Sequence, residues 1–271
     1  MKAPSFAYAK PRSLAETLDL LAQHGEGARV LAGGQSLIPT LNMRLSSPEL
    51  LVDITGLSGL SGISVKDQGI RIGALVTHSQ IENSEEIKKH VPLLAQAVPH
   101  IAHVAIRNRG TIGGSLALAD PAAEYPACVL ALSAVLILAG RGGERRVKAE
   151  DFFKGLFETA LKPGEVLTAV EFPLARPVDK SVFQELTRRQ GDYAIIGLAA
   201  HRNSGGLRLA YFGAGPTPVL AKTASSQETL EKAKQALAKD LNPPADLYNS
   251  SATKLHLAKV LLERAWNAIS K

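Results

Sequence analysis

Two glycine pairs restrict what this chain can build more than any other feature. They are Gly33-Gly34 in Ala32-Gly33-Gly34-Gln35-Ser36-Leu37 and Gly113-Gly114 in Thr111-Ile112-Gly113-Gly114-Ser115. The first follows Ala28-Arg29-Val30-Leu31, the second Ile106-Arg107-Asn108-Arg109-Gly110, and each reads as a tight loop. Glycine turns with positive φ and lets backbone N–H groups approach a ligand with no Cβ in the way. Consecutive N–H groups in such a turn form a concave, anion-binding nest. The hydroxyls of Ser36, Thr111 and Ser115 add donors at the same places. Two loops of this kind suit a diphosphate gripped from two sides, whereas a single phosphate needs only one.

Composition narrows the class. With 271 residues, 45% of them hydrophobic, the chain can fill one large or two ordinary packed cores. No apolar run reaches the ~20 residues of a membrane span. The longest, Cys128 to Ala139, stops at Gly140 and reads as the end of a buried helix followed by a buried strand. Met1 to Phe6 shows no apolar signal region, so a cytoplasmic location is expected. The one cysteine, Cys128, can form no internal disulfide and cannot alone hold zinc or an iron–sulfur cluster; among apolar neighbours it reads as a core residue. The net charge of +6 comes from dispersed bases. Their densest cluster, Arg141, Arg145, Arg146 and Lys148, surrounds a Gly-rich segment with the form of a solvated hairpin tip. Aromatic residues are 5% of the chain and do not alternate with bases, so no nucleic-acid partner is expected.

Ser13-Leu14-Ala15-Glu16 has the form of a capping box for a helix carrying Leu14, Leu18 and Leu21 and ending at Gly25. Strands are expected at 29–32 and 50–54, and a hairpin at 62–65 and 69–73 around Lys66-Asp67-Gln68. Thr77 is a candidate N-cap for a helix through Ile81 and Ile87, and Pro92 and Pro121 open further helices. Val166 to Pro173 stops at proline, as an edge strand would. Strands follow at 182–187, 195–201 and 207–212, then helices at 226–237 and 251–269. Pro173, Pro177 and Asp179-Lys180 mark a boundary, and strands followed by helices after it give an α+β pattern.

Neither the G-x-G-x-x-G fingerprint nor the P-loop is present. G-x-S-x-G is missing too, so no hydrolase nucleophile stands out. His78, His100, His103 and His201 are scattered and read as structural or surface residues. No catalytic acid–base pair and no metal site is expected.

The two glycine loops, spelled as above with Leu116 and Ala117 following, resemble those of the FAD-binding medium subunits of molybdenum hydroxylases, the carbon monoxide dehydrogenase type above all. The likeness runs through Leu51-Val52-Asp53-Ile54, Ile72-Gly73-Ala74, Lys162 to Leu167 and Arg188 to Ala194. It implies an α+β chain: a PCMH/vanillyl-alcohol-oxidase-type FAD module over 1–175, in subdomains of about 1–57 and 58–175, and a CO dehydrogenase flavoprotein C-terminal-like domain over 176–271. It implies that Ala32, Gly33, Gly34, Gln35, Ser36, Leu37, Thr111, Gly113, Gly114 and Ser115 hold FAD, the diphosphate by backbone and hydroxyl contacts. By the same carry-over Glu124 contacts the cofactor, and Leu167 and Tyr193 lie near the isoalloxazine ring. Tyr193 taken alone is equally a sheet tyrosine. Glu185 departs from the family, where many members carry lysine near the flavin; an acid close to the ring makes it harder to reduce.

The activity so implied is that of an oxidoreductase subunit. A large molybdenum subunit and a small [2Fe–2S] subunit would be its partners, in a heterotrimer or a dimer of heterotrimers, with electrons leaving for an external acceptor. The residues leave two alternatives open: a stand-alone FAD-dependent oxidoreductase of the same fold, or a non-enzymatic nucleotide-binding module.

Overall fold

The computed structural model of the chain describes residues 2–66 and 69–270. The expected hairpin tip, Asp67-Gln68, lies outside the described residues. Three main sheets, each backed by its own apolar core, organise the rest.

The first sheet is parallel, with Leu50–Asp53 between Ala7–Ala9 and Ala28–Leu31. Leu50–Asp53 is buried at every residue, which explains its unbroken apolar run. The helix Leu14–His24 covers it with Leu18 and Leu21. Ser13 caps that helix by accepting from the Glu16 N–H. The Glu16 carboxylate accepts instead from the Arg12 N–H, so only half of the expected capping box forms. The full box occurs at Thr77 and Gln80, where the helix His78–Asn83 begins. Ser84 ends that helix and caps Glu85–His90, so the helix expected through Ile81 and Ile87 is two.

The second sheet is antiparallel, in the order Ile63–Lys66, Gly69–Gly73, Val166–Pro173, Val135–Gly140, Gly143–Lys148. Val166–Pro173, expected at an edge, is the central strand. Proline stands only at its last position, so the interior keeps its N–H groups, and Val166 to Val170 are all buried. A register shift between Leu167 and Ala169 leaves Thr168 as a bulge. The cluster at the Gly140–Gly143 turn is ion-paired on the surface, Arg145 to Glu165, Arg146 to Glu171 and Arg141 to Asp19. Cys128 is fully buried in the helix Glu124–Ala131, where burial pushes its thiol up.

The third sheet runs antiparallel through Lys180–Leu186, Ile196–Asn203, Gly206–Phe212 and Val219–Leu220. Alternation along Ile196–Asn203 makes it a wall between two cores. Ile196, Leu198 and Ala200 face the helices Leu230–Asp240 and Ser251–Ile269. Ala199, with Phe183, Ala210 and Phe212, packs with the helix Glu124–Ala131 instead. Ser251–Ile269 buries Ala258, Leu261, Leu262, Ala265 and Ile269, an apolar stripe at helical spacing. The helix expected from Ser226 begins at Leu230, with Thr229 as its N-cap.

Candidate functional site

A cleft of about 670 Å³ is lined from the first sheet, the five-stranded sheet and the loop Gly191 to Tyr193. Its size suits a small-molecule ligand. Every residue that the resemblance assigns to the cofactor lines it: Ala32 to Leu37, Thr111, Gly113, Gly114, Ser115, Glu124, Leu167 and Tyr193.

The two glycine segments meet at this cleft but are built differently. The first is a bend between Ala28–Leu31 and the helix Leu37–Asn42. Gly34 has φ +73°, a conformation that favours glycine. Among the described residues, no N–H from Gly33 to Ser36 is donated to the protein, and Ser36 makes no side-chain cap. The Gln35 side chain folds back to donate to the Gly33 carbonyl at 3.0 Å. Four adjacent amides are therefore available to an anion, at the positive end of a short helix.

The second segment is not a loop. Thr111 caps the helix Ile112–Leu118, and Gly113 and Gly114 lie in its first turn. Its amides are already used: Ile112 N–H donates to Val76, Gly113 N–H to Ala74, Ser115 N–H to Thr111 O and Gly114 N–H to Thr111 Oγ1. It thus presents to the cleft bare glycine surface and the hydroxyl-bearing Thr111 and Ser115, rather than a nest of free N–H groups. Close packing accounts for two of the glycines. A Cβ on Gly33 would stand 2.1 Å from the Arg109 carbonyl oxygen, and one on Gly113 would stand 2.4 Å from Ala74 Cβ.

Further along, the cleft changes character. Burial pushes the Glu124 carboxyl up to about 8, with Glu185 and Asp120 adding to the rise, so it is neutral at pH 7. Leu167, next to the bulge, offers an apolar wall. Tyr193 is 73% exposed at the rim. Its hydroxyl is held above its ordinary range by partial burial, then by the Asp120 and Glu124 carboxyls. Glu185 does not line the cleft; its carboxylate is buried on Lys180–Leu186 and faces His100 Nδ1 at 3.2 Å. That placement keeps the acid out of the cleft lining, where it would have to stand to act on the ring directly.

Sequence reasoning missed His78, Asp120 and Phe157 in the lining. His78 is buried beside Gly110, with its Nδ1 unpartnered among the described residues. Burial first, and Arg107 second, push it down to about 4, so it is a neutral imidazole. Its position directly after the Thr77 cap was legible; its contact with Gly110 needed the fold. Among the described residues no group of His, Cys, Asp and Glu could hold a metal ion.

The cradle fits a dinucleotide: free amides for a pyrophosphate at one end, an apolar wall and a rim tyrosine at the other. The family described as the FAD binding domain in molybdopterin dehydrogenase matches residues 4–175, and the CO dehydrogenase flavoprotein C-terminal domain matches 181–269. The glyceraldehyde dehydrogenase medium chain of Sulfolobus acidocaldarius is 36% identical, over 100% of both chains. The carbon monoxide dehydrogenase medium chain of Hydrogenophaga pseudoflava is 34% identical, over 98% of this chain and 97% of that one. A solved structure of carbon monoxide dehydrogenase from Hydrogenophaga pseudoflava superposes with a TM-score of 0.95 at 34% identity, covering 100% of this chain and 99% of that one. This chain therefore belongs to the FAD-binding medium subunits of the molybdenum hydroxylase dehydrogenases, and is an oxidoreductase flavoprotein subunit.

Proposed function

We propose that this chain carries FAD as the electron-transfer subunit of a heteromeric molybdenum hydroxylase. It would take electrons from the [2Fe–2S] clusters of a small partner subunit, which receives them from a large molybdenum subunit, and release them to an external acceptor. The observation that carries the reading is the set of undonated amides from Gly33 to Ser36, facing Thr111 and Ser115 across one cleft. Support for the partners comes from the relatives, which are named as medium chains of dehydrogenases.

Residues 1–175 hold the cofactor in this reading, and 176–271 close the cleft with Tyr193. The amides of Gly33, Gly34, Gln35 and Ser36 bind the pyrophosphate, and the hydroxyls of Ser36, Thr111 and Ser115 complete its shell. Gly113 and Gly114 admit the ligand to van der Waals distance. Ala32, Leu37 and Leu167 exclude water, and Tyr193 covers one ring face. Glu124, neutral at pH 7, donates a hydrogen bond into the cleft. Bound FAD supplies the two-electron to one-electron exchange; the protein sets its position and potential.

The test compares FAD with riboflavin on the purified chain by fluorescence titration. Pyrophosphate contacts make FAD the tighter ligand by a factor on the order of a hundred or more, two charge-assisted hydrogen bonds sufficing for that. Equal affinity for the two would overturn the pyrophosphate assignment. Metal analysis of the native assembly checks the rest: iron and molybdenum co-purifying with the chain support it, and a flavoprotein that turns over substrate alone refutes it.

A further inference from the structure

We propose that Arg107 is a positioning residue for the ring end of the cleft: it turns the peptide between Ile101 and Ala102 so that the Ala102 N–H faces an acceptor atom of a bound isoalloxazine. The inference rests on FAD occupying that cleft. Arg107 ends the short helix Val104–Arg107 and is buried, with 8% of its surface exposed. Its guanidinium reaches in two directions. Nε and Nη2 donate to the two carboxylate oxygens of Glu82, at 2.9 and 3.3 Å. Nη1 donates to the carbonyls of Ile101 and Ala102, at 3.2 and 3.4 Å. Ile101 and Ala102 line the cleft and Arg107 does not, so the guanidinium stands behind the wall that they form.

That wall is a turn in a conformation that alanine does not favour. Ile101 is extended, with φ −66° and ψ 106°, and Ala102 is left-handed, with φ +43°. A type II turn has this succession, and its second central position favours glycine. A strained residue of this kind persists only where its surroundings hold it. The Arg107 guanidinium is such a hold, because a rigid planar cation fixes both carbonyls at once.

The direction of the carbonyls sets the direction of the amides. Among the described residues no peptide bond is cis, and a trans peptide places its C=O and N–H on opposite sides. With the Ile101 carbonyl drawn back to Arg107, the Ala102 N–H points forward, to the cleft side. It donates to no backbone acceptor among the described residues. The Ala102 carbonyl is also approached from the third sheet's side of the cleft: a Cβ on Gly191 would stand 2.8 Å from its oxygen. The turn is therefore closely apposed to the loop that carries Tyr193.

An ion pair that served stability alone would need only Glu82, and a buried pair is weak evidence for stability. Contact with two adjacent carbonyls of the cleft wall gives this pair a second task. An isoalloxazine bears its carbonyl oxygens on one edge, and reduction adds negative charge there. A fixed N–H facing that edge binds the reduced ring more tightly than the oxidised one. The Arg107 charge is matched by Glu82, so the effect runs through the Ala102 amide rather than through the field of a free cation.

The experiment uses the full chain loaded with FAD and labelled with 15N-alanine. In the parent, the Ala102 amide proton is expected to move downfield when FAD binds and further when dithionite reduces the flavin. An Ala102 amide that bound FAD leaves in place would overturn the inference, with no variant needed. Arg107→Lys keeps a cation for Glu82 but has no planar fork to hold both carbonyls as well. It is expected to lose that downfield shift and to weaken reduced FAD about tenfold relative to oxidised FAD, the scale of one hydrogen bond. For a two-electron couple this lowers the midpoint potential by about 30 mV. A merely structural arginine would change the melting temperature and leave the midpoint where it was, and that outcome overturns the positioning role alone. A chain that binds no FAD would overturn the functional reading and the positioning role together.

Discussion

Glu124 is a carboxylic acid kept neutral by its surroundings, and that state has a thermodynamic signature. In the folded chain it stays protonated up to about pH 8, whereas in the unfolded chain it ionises above its ordinary 4.5. The unfolded chain binds fewer protons across that window, so stability falls as pH rises from 4.5 to about 8. The slope is at most ~1.4 kcal/mol per pH unit. His78 acts in the opposite sense: neutral down to about 4 when folded but protonated below 6.5 when unfolded, it removes stability as pH falls through that window. Glu124→Gln is expected to flatten the alkaline limb above 6.5 and to steepen the acid limb between 4.5 and 6.5, where the two windows overlap and the two groups oppose each other. Urea midpoints measured across the two windows check this. An unchanged alkaline limb would mean that the folded carboxyl is already ionised.

Among the elements, the helix Ile112–Leu118 depends on one side chain for its start. Thr111 Oγ1 accepts from the Gly114 N–H at 3.0 Å, at a helix seven residues long with two glycines in its first turn. Glycine is a poor helix former and short helices are marginal, so the cap has much to offset. Thr111→Ala is expected to cost about 1 kcal/mol of stability and to weaken FAD binding, and Thr111→Ser to restore both. Thermal melts paired with FAD titration test it; full FAD affinity in Thr111→Ala would remove this residue from the binding shell. The same helix shows where local reading stops. The spelling Thr111-Ile112-Gly113-Gly114-Ser115 pointed to a turn, but the bonds from Ile112 and Gly113 to Val76 and Ala74 hold the segment in helical register. Those partners lie more than thirty residues away in sequence, so no local pattern reports them.

At the scale of the molecule, the third sheet is a partition with an apolar face on either side. Helix Ser251–Ile269 covers one face, placing Leu261, Leu262 and Ala265 against Leu198, Ala200 and Tyr211. Each large apolar side chain buried there is worth about 1.5–3 kcal/mol. A chain ending at residue 250 is expected to expose that face, bind the dye ANS and aggregate; a monomeric truncated chain with native near-UV dichroism would show that the helix is dispensable. What the sequence determined by itself was local chemistry and periodicity. The helix of 251–269, the core role of Cys128 and the two glycine pairs follow from spacing and side-chain type, and the resemblance of the loops to a known family supplied Glu124, Leu167 and Tyr193. Tertiary structure alone decided which N–H groups stay free, that Val166–Pro173 is central, and that Glu185 pairs with His100 instead of lining the cleft. Each of those depends on an acceptor, a neighbouring strand or a counter-charge brought from a remote part of the chain, and a hydrogen bond or a buried charge is defined by the partner that folding supplies.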